Sequence, residues 1–472
     1  KLLNTMNERG DSPEENVWQS DYDLSFALHL LQVEAEFLVS HHELGQLLAE
    51  ALLERAQTDL EKARICFLLI AQQMTLELDY CLNQALLGLG YCGLDVPQAK
   101  QVDEGWVAQE YQTLQTLLKQ QGWQAQTLLD EGKSIPEEIS LAYRFFAQLA
   151  ASSQIAGKQD LCFYAVYKGL STALEYGANE QAIILYASYS AIMAKQANYR
   201  ESSQAARVTL SLLENYPQCV ESPYIHMMLG SFVWHFTHPL EEALALQDQA
   251  HELGSELGDI TRGVVAGYSN AQINSYAQGL PLNQLKAQLR TLTTLIDKHG
   301  IRVLAGAYYP RLVDMLTKPD AGALLEASAF AAEEWQLIQG CILKAFIEHL
   351  QVQAFFWTGP YWSDQSDDAW TAVQAAEASL PMISGFINAH EQRFIAALLS
   401  IRQAEGSLSS NQAQHAFIQR SLAELTELNE LCPENFEHKH LLLLAEDARI
   451  SNPNFDTLTL YHQAIQSAKE NG

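Results

Sequence analysis

Three aspartates, Asp364, Asp367 and Asp368, form a DxxDD string in YWSDQSDDAW. Such a cluster can hold Mg²⁺ and a diphosphate in an all-helical prenyl-chain enzyme, because hard divalent cations take carboxylate oxygens. The string also stands at the expected start of a helix. Acids there cap free N–H groups and meet the positive end of the helix dipole. No second Mg²⁺ motif accompanies it, so capping is the leading reading and the enzyme a remote alternative. A phosphate-binding loop needs GxxxxGK[ST]. Gly132-Lys133-Ser134 is the nearest string, but Thr127 stands where the first glycine belongs. Kinase signatures of the HRD and DFG type are absent, as is a phosphoacceptor-histidine box. The close histidine pairs are His41-His42, His235 with His238, and His438 with His440. Adjacent or i+2 side chains on a helix do not converge on one ion, and a solvated or capping role is the leading reading for each pair. Neither catalytic residues nor a cofactor or metal site is therefore expected.

Aromatic residues mark two further places. Phe355, Phe356, Trp357, Tyr361 and Trp362 flank a Gly359-Pro360 break. Trp234, His235, Phe236 and His238 form a second cluster. Rings beside a chain break can line a pocket or anchor a partner, although they also pack helix ends. The candidate partner or ligand surface is thus Trp234, His235, Phe236, Trp357, Tyr361 and Trp362, with Asp364, Asp367 and Asp368 beside it.

The chain that must position these groups has 472 residues, 48% of them hydrophobic, which is enough for a sizeable core. Only 28 Lys and Arg face 57 Asp and Glu, for a formal net charge of −29. That balance repels phosphate backbones and anionic membranes, so nucleic acid is not an expected partner. No apolar run approaches the length of a membrane span, and no signal peptide is apparent. Seven cysteines, an odd number without a CxxC pair, read as buried thiols in a reducing, cytoplasmic setting.

Hydrophobic periodicity is helical almost throughout, and no stretch alternates with period two. Leu24, Ala27, Leu28, Leu31, Ala35 and Leu38 are expected to form one apolar face. Leu44, Leu47, Leu48, Ala51 and Leu52 are expected to form the next. Thr58 and Glu61 have the spacing of a capping box for a third helix, whose inner stripe is Ala63, Cys66, Phe67, Ile70, Ala71 and Met74. Prolines punctuate the rest, among them Pro136, Pro239, Pro281, Pro360, Pro433 and Pro453. Roughly twenty helices of ordinary length account for the chain. Small residues seven apart suit close helix crossings in TPR-like units: Ala243 and Ala250, Ala369 and Ala376, Thr457 and Ala464. Ala206 precedes Ala243 by 37 residues, near the roughly 34 of a TPR unit. The expected fold is all-α, a TPR-like α-α superhelix of antiparallel helix pairs. Residues 1–20 are expected to fray. Residues 21–216 and 217–472 would be two continuous halves of the array.

Several strings resemble one family. They are GLGYCGLDVP (88–97), DEGKSIPEEI (130–139), YKGLSTALEYGANEQA (167–182), DITRGVVAGYSNAQINSYAQGLPL (259–282), CPENFEHKHLLLLAEDARI (432–450) and TLYHQAIQSAKENG (459–472). Over about residues 20–472 they are similar to the helical region of large bacterial multidomain sensor kinases. In that family an AAA-type, STAND-like ATPase comes first, often behind a serine/threonine kinase domain, and GAF and histidine-kinase domains commonly follow. The resemblance implies a signalling segment cut from a longer polypeptide. It carries over no catalytic residue, because the family's ATPase and kinase motifs lie outside such a segment. The expected partners are another protein or flanking domains of the same polypeptide. A small effector or a second copy in a homodimer is compatible with the pattern. A purely structural spacer or dimerisation scaffold is the alternative.

Overall fold

The computed structural model describes residues 18, 21–38, 41–73, 78–123, 134–299, 313, 343–357, 366–403, 412–451 and 457–471. Helices and their turns make up these residues, with no strand among them. The all-α class expected from periodicity is therefore what the chain adopts. Two compact units divide it, Lys1–Tyr186 and Ala187–Gly472. The expected halves met at 216/217; the compact units meet thirty residues earlier.

The first unit contains α1 (Tyr22–Leu38), α2 (His42–Arg55), α3 (Asp59–Gln73), α4 (Leu78–Tyr91), α5 (Glu104–Gln121), α6 (Glu137–Ile155) and α7 (Gln159–Tyr176). The expected capping box opens α3. The Thr58 N–H donates to Glu61 Oε2 at 2.9 Å, and the Glu61 N–H returns to Thr58 Oγ1 at 3.2 Å. The Tyr22 hydroxyl also donates to Glu61 Oε2, at 2.9 Å, and pins α1 to the same corner. That anchor decides which face of α1 turns inward. The sequence offered a leucine stripe, yet Leu24 and Leu31 are exposed, while Phe26, Val33 and Phe37 are buried. Helix α1 is apolar around much of its circumference, so two stripes compete. The larger aromatic one, in register with Tyr22, wins. On α2 the inward residues are Gly45, Ala49 and Leu52, whereas Leu44 and Leu47 face out. Ala63, Cys66 and Ile70 of the α3 stripe are buried as expected. The side chains of Ala71 and Met74 lie outside the described set.

The second unit begins inside α8 (Ile183–Lys195). It continues through α9 (Tyr199–Leu213), α10 (Ser222–Phe232), α11 (Leu240–Leu257), α12 (Gly267–Ala277) and α13 (Leu282–His299). Then come α14 (Leu343–Trp357), α15 (Ser366–Ser379), α16 (Ile387–Gln403), α17 (Gln412–Leu431), α18 (Pro433–Ser451) and α19 (Leu458–Asn471). Sequence-adjacent helices pack as hairpins, α10 on α11 and α18 on α19 among them. The small residues sit where the axes approach. Ala243 and Ala250 are fully buried. A Cβ added to Gly230 of α10 would lie 2.7 Å from the Ala243 carbonyl oxygen, so only glycine fits there.

Several family-like strings acquire a local physical account. In DITRGVVAGYSN, the Asp259 carboxylate accepts the Arg262 N–H at 3.0 Å and caps a π-helical turn, Ile260–Ala266. Arg262 bridges Asp259 and Glu221, at 2.9 and 2.7 Å, with its guanidinium 4.9 Å from the Tyr224 ring centre. Pro136 and Pro239 precede α6 and α11, and Pro433 opens α18. Pro360 and Pro453 lie outside the described residues.

One turn recurs between paired helices. After α6 the Lys158 N–H donates to Ser153 O and the Gly157 N–H to Gln154 O. After α8 the Asn198 N–H donates to Met193 O and the Ala197 N–H to Ala194 O. After α12 the Leu280 N–H donates to Ser275 O and the Gly279 N–H to Tyr276 O. This is the Schellman closure, with a left-handed residue just past the helix end. The same pair of bonds follows α4, from the Leu94 N–H to Leu89 O and from the Gly93 N–H to Gly90 O. The left-handed residues have φ of 79°, 69°, 58° and 88° at 93, 157, 197 and 279.

Candidate functional site

The hairpin between α10 and α11 departs from that turn. A 3₁₀ turn, Trp234–Phe236, stands in its place. It carries the aromatic cluster singled out in the sequence. Pro239, before α11, has no side chain able to cap the helix. The cap arrives from α18, almost two hundred residues later. Asn435 Oδ1 accepts the Leu240 N–H at 3.0 Å, while its Nδ2 donates to His235 O at 2.7 Å and His238 O at 2.8 Å. One buried amide thus closes a turn that lacks its own closure.

The clamp points His235 and Phe236 inward. Both are buried, at 0% and 1% exposure, so they are not part of an exposed surface as the sequence suggested. Phe236 stacks on Tyr199 with centroids 4.4 Å apart. Its other neighbour is His390 of α16, edge-on at 5.2 Å. Tyr199 and Phe436 complete a three-ring enclosure of that imidazole, at 6.4 and 6.3 Å. His390 Nδ1 lies 2.5 Å from Glu424 Oε1, and its Nε2 has no protein partner and no contact with solvent. Arg393, one turn on, binds Glu424 and also Glu377, the latter at 2.6 Å. On the same helix Glu391 pairs with Lys439 Nζ at 2.7 Å, an ion pair without aligned hydrogen-bond geometry. Lys439 Nζ also donates to Asn435 O at 3.1 Å.

Burial holds these imidazoles neutral. His390 is pushed down to about 3, by desolvation first and then by Arg393 and Lys439, against the opposing charge of Glu391. His235 is held well below its usual value by desolvation, with His390 adding to it. His349 on α14 is likewise pushed down to about 3 by burial. Its Nε2 lies 2.7 Å from Gln353 Nε2, and Gln353 Oε1 accepts the Tyr276 hydroxyl at 2.8 Å. Neutral His390 donates its Nδ1 proton to Glu424, which leaves Nε2 the basic nitrogen. The three rings enclose that nitrogen, so the arrangement positions helices α16, α17 and α18 rather than presenting a base to a substrate.

Beside this node is a cleft of about 210 Å³ lined by Ala197, Asn198, Tyr199, Arg200, Glu427, Glu430 and Leu431. Trp234 lies at the rim of the node, half-buried. Its ring stacks on His238 at 4.1 Å, and its indole N–H donates to Glu242 at 3.1 Å. Trp357 ends α14, 56% exposed. Tyr361, Trp362 and Asp364 lie outside the described residues. Asp367 and Asp368 are the second and third residues of α15, at a helix start as expected. Gly132 and Lys133 lie outside the described set. Among the described residues no three His, Cys, Asp or Glu side chains gather as a metal site. Six cysteines are described, all buried and none in a disulfide; Cys341 lies outside. No described helix is long and apolar enough to cross a membrane.

No family model, curated protein or solved structure matches this chain. The site's residues therefore carry the functional argument on their own. His390, Glu391, Arg393, Glu424, Asn435 and Lys439 were not singled out in the sequence. A signal for one of them, Glu391, and for two of its neighbours was available. Ile395 and Leu399 form an apolar stripe on α16, and Asn388, Glu391 and Gln392 continue it one and two turns earlier. Polar residues that extend an apolar stripe are candidates for a buried network.

Proposed function

We propose that the chain is a TPR-like helical-repeat arm of a cytoplasmic bacterial signalling protein, one that binds a partner or effector and relays it to flanking ATPase and kinase-type domains. The recurring hairpin turn supports this reading. Its left-handed residue falls at 93, 157, 197 and 279, after α4, α6, α8 and α12. The hairpin between α10 and α11 carries the irregular turn at Trp234–Phe236 instead. Helix pairs closed by one kind of turn suit a stacked array, whose neighbours bury what a single pair leaves bare. The departure from the repeat coincides with the buried charged node, and charge inside a packed array is costly unless it fixes one arrangement. A two-state relay needs such an element, because an effector acts only through differential affinity for two arrangements.

Solution scattering tests the array. A compact 472-residue chain has a radius of gyration of about 23 Å, and a stacked superhelix exceeds that clearly. A value near the compact figure would sink the repeat reading. The role is tested in the whole polypeptide. Asn435→Ala should change its nucleotide turnover at least about threefold, a shift of about 0.6 kcal/mol, while the Glu434→Ala neighbour leaves turnover alone. Turnover unchanged in both, or a gene that encodes no ATPase or kinase beside this segment, favours a plain spacer.

A further inference from the structure

The cleft beside the node has opposite electrical ends. One wall is the first turn of α9, Tyr199 and Arg200, behind Asn198. That helix start has no side-chain cap; Asn198 Nδ2 instead donates to Glu201 Oε2 at 2.6 Å. The N–H groups at that helix start and the exposed Arg200 guanidinium make this wall positive. The facing wall is the last turn of α17, with Glu427, Glu430 and Leu431. A helix C-terminus bearing two carboxylates is negative. Between them stands the Tyr199 phenol. Tyr199 is 5% exposed, lines the cleft and has no hydrogen-bond partner among the described residues. Glu427 is near enough to act on its charge. Its oxygen is not sealed from solvent, and a ligand group can take the place of water there.

We propose that this cleft binds a small zwitterion of the α-amino-acid class. The ligand carboxylate meets Arg200 and the start of α9. The ammonium meets Glu427 and Glu430 and donates to the Tyr199 oxygen. The volume, about 210 Å³, is below the roughly 300–1,000 Å³ of drug-sized pockets. Ala197 and Leu431 on the lining suit a short aliphatic side chain. The site touches the node directly. Tyr199 packs on Phe236 and His390, and Glu427 follows, by three residues, the Glu424 that holds His390 and Arg393. An occupied cleft therefore bears on the packing of α9 against α17. This assignment rests on the effector reading above and names the effector's class.

Titration calorimetry on the full chain tests it, with L-alanine as the probe and L-alanine methyl ester and N-acetyl-L-alanine as controls. L-alanine should bind and raise the melting temperature. Each control, lacking one charge, should bind at least about tenfold more weakly. Arg200→Gln and Glu427→Gln, both at exposed positions, should each weaken L-alanine by at least about tenfold with unchanged unliganded melting. Tyr199→Phe should weaken it less. Controls that bind as well as L-alanine, or variants that bind it as the parent does, overturn the zwitterion site. No heat at 10 mM ligand, about the weakest affinity calorimetry reads, overturns it as well. Binding without any change in nucleotide turnover of the whole polypeptide sinks the effector role and leaves the site standing. Turnover that responds to another ligand, unaffected by Arg200→Gln, does the reverse.

Discussion

The two units solve the same packing problem with different interiors. In the first, Tyr143, Phe145, Phe146 and Tyr167 are buried, Phe145 edge-on to Phe67 of α3 at 5.5 Å, and the Tyr143 hydroxyl reaches the Gly177 carbonyl at 2.7 Å. Its buried polar groups are mostly hydroxyls, such as Thr172 bonded back to Lys168 O within its own helix. In the second, Lys439, Glu391, His235, His349 and His390 are buried, and the Glu391–Lys439 and His390–Glu424 contacts each join two helices. Apolar packing tolerates small slips between helices at a modest loss. A buried charge pair tolerates only the arrangement in which both partners meet. The first unit is therefore built for packing, and the second is built to hold one geometry and to respond when that geometry is disturbed.

Acid should separate them most. His235, His349 and His390 are all held neutral below the unfolded value of 6.5. The unfolded chain then binds more protons than the folded one below that pH. Their contribution is whole above about pH 6.5 and is lost as pH falls toward about 3. Each histidine loses up to about 1.4 kcal/mol per pH unit, so the three together lose up to about 4 kcal/mol per pH unit. The described histidines of the first unit, His29, His41 and His42, are none of them buried. Amide exchange at pH 5 should show the second unit losing protection while the first keeps it. Equal loss in both would remove the contrast.

Breaking one ion pair should come next. Lys439→Met leaves Glu391 buried without its partner and should cost about 3–5 kcal/mol in urea unfolding. Adding Glu391→Leu should recover most of that loss, because an apolar pair needs no desolvation compensation. A single variant costing less than about 1 kcal/mol would class the pair with solvent-screened surface contacts.

The parts of the fold legible in the sequence are those set within a few residues. Helical period gave the class, and Thr58 with Glu61 gave a cap observed as a reciprocal hydrogen-bond pair. Ala243 and Ala250 marked a close crossing that Gly230 completes. The face of α1 was misread because the deciding contact, Tyr22 with Glu61, spans 39 residues. The node was harder still. His390, Glu391, Gln392 and Arg393 are four consecutive polar residues on a helix, a pattern that ordinarily faces water. Only α17 and α18 bring them Glu424 and Lys439, and only Asn435 explains why Trp234–Phe236 folds inward. The aromatic cluster was visible, but its direction was not.

The smallest expected effect reads the shared turn itself. Gly157 in the first unit and Ala197 in the second hold the same left-handed position, at φ 69° and 58°. An alanine there costs roughly 1–2 kcal/mol in steric strain. A glycine loses about 0.5–1 kcal/mol more chain entropy on folding than alanine does. Ala197→Gly should therefore stabilise by up to about 1 kcal/mol, and Gly157→Ala should destabilise by a similar amount. Paired urea titrations of the two variants measure both signs. If Ala197→Gly instead lowers stability, the strain is not the controlling quantity at 197. The alanine methyl would then be contributing through the cleft it lines, which ties that turn to the node beside it rather than to the repeat it shares with Gly157.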